Sequence, residues 1–330
     1  MNMEGIFLII GAGSIGRRHA QNARFLGLRT IVCDVDIERA KKLAEETDSE
    51  KFYEDYKKAC EDNPEITAAI IATPSQFHIE NAQFLAEKGI HIFIEKPLAT
   101  AFEGIDDLIR TIESKNVVVM MGQSYRFHEG YLSVKKLFED GVIGEIYHVN
   151  LLSGQYLPDW HPTMDYRTEY AAQKKLGGGA LFTSMSHLFD SMGWLFGEIE
   201  ELSGWRARLS DLEMDVDDSV FCLMKTDRNI VVMCQTDFLQ RISKSYMVVV
   251  GEKGTIEVDF IAHEITVELP GEQSLVQKYS FEPNKRYVEE LKHFVQLIKD
   301  GSVKHSLDIH AGERVVKLLL SDKIKAVTKI

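Results

Sequence analysis

At 330 residues, 45% hydrophobic and 27% charged, the chain is long enough for two folded domains and has no apolar run near the roughly 18 residues of a membrane span. Its 38 basic and 51 acidic side chains leave a net charge of −13, which argues against nucleic acid or an anionic membrane as the main partner. The four cysteines (Cys33, Cys60, Cys222, Cys234) are widely spaced with no C-x-x-C pair, so they read as buried, reduced thiols and point to the cytoplasm.

Residues 6–10, five apolar residues in a row, suit a strand buried on both faces. No basic region precedes them, so they read as this strand and not as a signal peptide. The next six residues, Gly11-Ala12-Gly13-Ser14-Ile15-Gly16, spell G-x-G-x-x-G and open a helix. Gly11 suits a tight turn, Gly13 a close approach by a pyrophosphate, and Gly16 close packing of helix on strand. A pyrophosphate there would meet the free N–H groups of the helix start. Asp34, eighteen positions after Gly16, ends the second apolar run and suits a ribose diol. It is followed by Val35 and Asp36, with no adjacent cation for a 2′-phosphate, so NAD is expected over NADP. Arg39 could stack on an adenine or simply be a solvated helix residue.

A third apolar run ends in Ala72-Thr73-Pro74, which should lie under the nicotinamide ribose, since open parallel sheets bind ligands beyond their strand carboxyl ends. His78, at the following helix start, reads equally as a cofactor contact or a surface residue. A fourth run (90–94) delivers Glu95-Lys96-Pro97. Lys96 precedes a proline, stays extended, and projects its ammonium toward the same cleft.

The glycine motif, Ala72-Thr73-Pro74 with His78, and Glu95-Lys96-Pro97 together resemble the Gfo/Idh/MocA oxidoreductase family, which includes glucose–fructose oxidoreductase, inositol dehydrogenases and nucleotide-sugar dehydrogenases. The resemblance implies an N-terminal Rossmann domain, a doubly wound parallel sheet over residues 1–123. It also implies an α+β substrate-binding and oligomerisation domain over 124–330, with a large, mainly antiparallel, open-faced sheet. By the same resemblance the cofactor contacts are residues 11–16, Asp34, Arg39, Ala72, Thr73, Pro74, His78, Glu95, Lys96 and Gln123; Lys96 is the catalytic-site lysine, with a cis bond to Pro97. Arg126, just past the boundary, faces the substrate or braces the hinge.

The stretch 151–176 is rich in aromatic and hydrogen-bonding side chains, among them Tyr156, Trp160, His161 and Arg167. It reads as a substrate loop, although a loop with its own small aromatic core has the same composition. Arg167 could clamp a phosphate or carboxylate, which leans the expected substrate toward an anionic or nucleotide sugar. Three glycines (177–179) then lead to Thr183 and His187, resembling the family's second signature. At helical spacing, i and i+4, the two share a face. Many relatives carry Asp where this chain has Thr183, so the resemblance implies His187 as the catalytic base without an acidic partner, unless Asp190 serves. Strand-like runs recur from 202 to 269, and 287–300 and 309–327 read as closing amphipathic helices. The eleven histidines form no HExxH pattern or Cys/His cluster, so no metal is expected.

The function expected is hydride transfer between NAD and a secondary hydroxyl or ketone of a sugar, polyol or sugar derivative, in a homodimer or homotetramer. Alternatives are a glycosidase-like enzyme that retains its NAD, and a non-catalytic sensor of NAD and ligand.

Overall fold

The computed structural model describes residues 5–327, which fall into two compact units. The first contains the chain up to Ser124 and, again, Tyr287–Val316; the second contains Tyr125–Arg286 and the chain from Lys317.

In the first unit, strands β1 (Ile6–Ile10), β2 (Arg29–Cys33), β3 (Lys51–Tyr53), β4 (Ile66–Ile71), β5 (His91–Glu95) and β6 (Val119–Gly122) alternate with helices α1 (Ser14–Phe25), α2 (Ile37–Thr47), α3 (Tyr56–Asp62), α4 (His78–Glu87) and α5 (Ile105–Lys115). All pairings are parallel, in the order β3-β2-β1-β4-β5-β6. β1 is buried at every residue, as a central strand covered on both faces must be. The order reverses between β1 and β4, which opens a crevice at the carboxyl ends of those strands. Asp36 sets the start of α2 by accepting the N–H groups of Glu38 and Arg39, both at 3.2 Å.

The second unit carries α6 (Glu129–Glu139), β7 (Ile146–Gly154), α7 (Ser186–Phe196) and strands β8 (Ile199–Ala207), β9 (Ser219–Thr226), β10 (Val231–Asp237), β11 (Lys244–Gly251), β12 (Thr255–Asp259), β13 (Glu264–Glu268) and β14 (Leu275–Lys278). Beyond them come α8 (Lys285–Asp300), α9 (Ile309–Leu319) and β15 (Ile324–Val327). The nine-stranded sheet runs β14-β13-β12-β11-β7-β10-β9-β8-β15. It is mostly antiparallel, with parallel pairs at β7–β10 and β8–β15. Alternation is clean on the central strands. Val220, Cys222, Met224, Val232 and Cys234 are buried, whereas Leu223, Met233 and Trp205 on the other face are 48, 46 and 55% exposed. Register puts Leu223 beside Met233 and Trp205 beside Phe221, so these four side chains form an apolar patch on the exposed side.

Two expectations need correction. The segment 309–327 is not one helix: α9 ends at Leu319, and the Ser321 hydroxyl accepts the Lys323 N–H at 3.3 Å, turning the chain into a strand parallel to β8. Residues 287–316 also pack into the first unit, although the sequence reading grouped them with the second domain. The apolar stripe of α8 is the reason. Phe294, fully buried, meets Phe7 and Phe93 edge-on at 6.3 and 5.7 Å between ring centroids. The Met121 N–H donates to the Leu307 carbonyl at 2.8 Å, which ties the connection after α8 to β6.

Two predictions follow from this packing. Replacing Phe294 with Ala should cost about 3–5 kcal/mol of unfolding free energy; a urea titration showing under about 1 kcal/mol would mean that α8 contributes little to the first core. His128 caps α6 through Nδ1, which accepts the Gly130 N–H at 3.1 Å. Burial, with Arg286 and His263 nearby, pushes its pKa down to about 4. A depressed histidine contributes stability that is complete above its unfolded value of about 6.5 and is lost as pH falls through the folded value. His128→Asn keeps an acceptor for the cap and removes the titration. The stability of wild type relative to this variant should therefore decline between about pH 7 and pH 4, and a flat difference across that range would contradict the assignment.

Candidate active site

The glycine loop is fixed by backbone contacts that only glycine permits. Gly11 has φ +104°, and a Cβ there would lie 2.6 Å from the Ala72 carbonyl oxygen. A Cβ on Gly16 would be driven into the Gly11 carbonyl oxygen, so α1 can lie this close to β1 only without one. At Gly13, in contrast, a Cβ would meet nothing within 4 Å. Gly13 also caps α1 without a side-chain hydrogen bond, which leaves the first helical N–H groups, at Ser14 and Ile15, to an anion.

Asp34, at the end of β2, is clipped to this loop. It accepts the Ala12 N–H at Oδ2 (2.7 Å) and the Asp36 N–H at Oδ1 (2.9 Å). A carboxylate has about four lone-pair sites, so two remain for a diol. Arg39 donates from Nε to Asp36 at 3.0 Å; that bond and the nearby Asp34 charge raise its pKa. The guanidinium is therefore tethered to α2's own cap.

Around Lys96 the structure adds partners that the sequence did not announce. The Lys96–Pro97 bond is cis. Glu95 is buried, and His19 of α1, fully buried, stands 2.7 Å from its Oε1 through Nε2. The carboxylate can only accept, so the ring proton lies on Nε2. Desolvation raises the Glu95 pKa, but the hydrogen bond from His19, the Lys96 ammonium and the Lys96 N–H (3.2 Å) together hold it below the usual range. His78 is also buried, with Nδ1 2.9 Å from the Pro97 carbonyl and Nε2 2.8 Å from that of Thr73. Burial lowers its pKa against the pull of both carbonyls. It braces the turn after β5 against the loop after β4, where Thr73 also hydrogen-bonds Asn81 at 3.2 Å. Gln123 is 1% exposed, and neither atom of its amide has a hydrogen-bond partner among the described residues. The open cradle at Gly13, the spare capacity of Asp34 and this orphaned amide, complementary to a carboxamide, are features that fit a nicotinamide dinucleotide.

In the second unit, Gly178 passes so close to the Tyr170 carbonyl that a Cβ would clash, and Asp217 then receives the helix start, accepting the Leu181 N–H at 2.8 Å. The turn at Leu181–Met185 is π-helical before α7 begins. The expected α-helical register of Thr183 on His187 is thus interrupted, as π turns are wider. The Thr183 hydroxyl donates to the Gly179 carbonyl at 2.7 Å. Asp190 is taken by Arg126, whose Nε and Nη2 donate to its two oxygens at 2.8 and 2.7 Å, with both side chains buried. The pair braces the turn Ser124–Phe127 against α7. His187 is half-buried and lies face to face with Tyr125 at 4.5 Å and 11°.

Of the stretch 151–176, residues up to Gly154 end β7, and the rest carries four short 3₁₀ turns between Leu157 and Leu176 rather than an open loop. Tyr156 lies under the Arg241 guanidinium at 3.6 Å, Trp160 packs edge-on to Phe238, and His161 bonds Glu169 at 2.6 Å. Arg167 is exposed and already holds two carboxylates, those of Asp165 (2.8 Å) and Glu213 (3.2 Å), which raise its pKa further. His19, Tyr125 and Asp217 were missed in the sequence. A buried histidine on a helix has no signal of its own until its partner on another strand is known.

Three comparisons bear on this geometry. The NAD-binding Rossmann-fold model of the GFO/IDH/MocA oxidoreductase family matches residues 6–123, and the family's C-terminal domain model matches residues 131–257. Myo-inositol 2-dehydrogenase of Thermotoga maritima is 29% identical over 312 residues, covering 89% of this chain and 88% of that protein. The 2,7-anhydro-N-acetylneuraminate hydratase of Mediterraneibacter gnavus is 26% identical over 277 residues, 81% of this chain and 70% of that one. Among solved structures, levoglucosan dehydrogenase in complex with NADH superposes with a TM-score of 0.85 at 22% identity, covering 98% of this chain and 96% of that chain, which is a likeness of fold. With both models matched, the chain belongs to the GFO/IDH/MocA family of oxidoreductases and carries that family's NAD-binding Rossmann fold at its N-terminal end.

Proposed function

We propose that this enzyme is an NAD-dependent dehydrogenase acting on a secondary hydroxyl of a neutral sugar or polyol. The observation that carries the reading is the placement of Lys96. It leaves the carboxyl end of β5 directly after a buried Glu95 that His19 ties to the glycine-loop helix. A lysine whose backbone is fixed in this way can supply a donor for an oxygen that gains negative charge. When bound, NAD supplies a ring that accepts hydride from a carbinol carbon and returns it to a ketone. Residues 11–16 and Asp34 would hold the pyrophosphate and ribose, and Gln123 the carboxamide. Lys96 hydrogen-bonds the reacting oxygen, and His187 takes its proton at a ring nitrogen as general base.

Arg167 was the sequence's reason to favour an anionic substrate. Its guanidinium is balanced by Asp165 and Glu213, so that preference loses its support. Inositol and levoglucosan, the compounds in the names of two relatives, are neutral and rich in secondary hydroxyls. A second reading, in which NAD is retained and no net oxidation occurs, is favoured by the relative named as a hydratase, since hydration consumes no oxidant.

The apolar face formed by Trp205, Leu223 and Met233 supports a further part of the proposal, a homodimer or homotetramer covering that sheet. Light scattering should give two or four chain masses; a monomer at micromolar concentration would count against it. For the chemistry, NADH formation is measured with NAD and a panel of inositols, aldoses, anhydrosugars, uronic acids and nucleotide sugars. Lys96→Ala and His187→Gln should each lower kcat by about 10²–10³ with NADH affinity within about twofold of wild type. Asp34→Ala should instead weaken NADH by about tenfold or more, the worth of a charge-assisted hydrogen bond. Turnover near normal in Lys96→Ala would sink the assignment. NAD copurifying with the protein, and no NADH across the panel, would select the second reading.

A further inference from the structure

Four rings form one continuous stack in the second unit. His187 lies on Tyr125 (4.5 Å, 11°), Tyr125 on Tyr131 (5.2 Å, 29°) and Tyr131 on Phe260 (4.7 Å, 23°). Its base is buried: Tyr131 is 4% and Phe260 8% exposed. His128 wedges edge-on against both of them at 5.8 Å. Ser191, one helical turn beyond His187 on α7, donates its hydroxyl to the His187 carbonyl at 2.9 Å. The Arg286 guanidinium sits 5.4 Å from the centre of the Tyr125 ring. Tyr125 is therefore held by a buried ring on one side and a cation close to its ring, and cannot turn without disturbing both.

We propose that Tyr125 is the positioning residue for His187, fixing the plane of the imidazole through its aromatic face. The proposal rests on the reading of His187 as the proton acceptor. A stack of this kind acts on the face of the imidazole, whereas a hydrogen-bonding orienter acts at its edge. The stack also restricts rotation of the ring about its bond to Cβ, the freedom that most directly misaligns a base with a substrate hydroxyl. The Tyr125 hydroxyl plays no part in this, so phenylalanine is the conservative replacement and leucine removes the face while keeping bulk.

The experiment combines a spectroscopic readout that needs no substrate with kinetics. Protein carrying ¹³C-labelled histidine is prepared as wild type, Tyr125→Phe and Tyr125→Leu, with His187→Gln to identify the His187 signal by its disappearance. Stacking shifts the His187 ring protons upfield. The displacement should persist in Tyr125→Phe and vanish in Tyr125→Leu. With myo-inositol as the hydride donor, Tyr125→Leu should lose about 10- to 100-fold in kcat while KM and NADH affinity stay within about twofold, and Tyr125→Phe should recover turnover to within about threefold of wild type. A Tyr125→Leu protein whose His187 signal and kcat both match wild type overturns the proposal. So does a Tyr125→Phe protein as impaired as Tyr125→Leu, because the hydroxyl and not the face would then matter. If His187→Gln turns over normally, the base assignment itself falls; if His187→Gln is inactive and Tyr125→Leu is not, only the positioning role falls.

Discussion

The first unit depends on the approach of α1 to β1 at Gly16. A single added Cβ there would collide with the Gly11 carbonyl, so the helix lies as near to the strand as backbone allows. That closeness places the helix start over the crevice at the sheet's carboxyl edge, where its first N–H groups, uncapped by any side chain, suit an anion. It also brings His19, five residues into the helix, to hydrogen-bonding distance of Glu95 on β5. The position of Lys96 is thus coupled to the geometry of the glycine loop through one buried hydrogen bond. Removing one partner of such a pair leaves a desolvated carboxylate without its donor, a cost well above the pair's net contribution.

The second unit builds its functional helix by a different device. Asp217 accepts the Leu181 N–H, Gly178 lets the chain pass close to the Tyr170 and Ala171 carbonyls, and a π turn delivers Thr183 and His187 in an unusual register. Its acidic groups are committed elsewhere, Asp190 to Arg126 and Asp217 to the helix start. The imidazole lies on a stack of rings whose base, Tyr131 and Phe260, is buried.

Much of this was legible in sequence where the signal is local. The glycine triplet after an apolar run, the acid at the end of β2 and a lysine before proline at a strand end each declare themselves within a few residues. Strand-like runs between 202 and 269 likewise announced most of the second sheet. What escaped was set by long-range partners. His19 and Glu95 are 76 positions apart, and nothing in either neighbourhood names the other. Arg167 looked like an anion clamp because Glu213, 46 positions on, is invisible from the loop. The amphipathic stripe of α8 showed that it packs, but not on which core, and Phe294 proved to belong with Phe7 and Phe93. The π turn was hidden for a related reason, since periodicity alone does not separate a wide turn from an α-helical one.

In the proposed reaction a carbinol hydrogen passes to the nicotinamide while Lys96 and His187 manage the oxygen and its proton. This is tested most directly by incubating the enzyme with NAD and myo-inositol or glucose deuterated at the carbinol carbons, then locating the label by mass spectrometry and NMR. Deuterium at C4 of the nicotinamide ring, one per ketone formed, is the predicted result. Label that stays on the sugar or is lost to water, with the nicotinamide unlabelled, would contradict it.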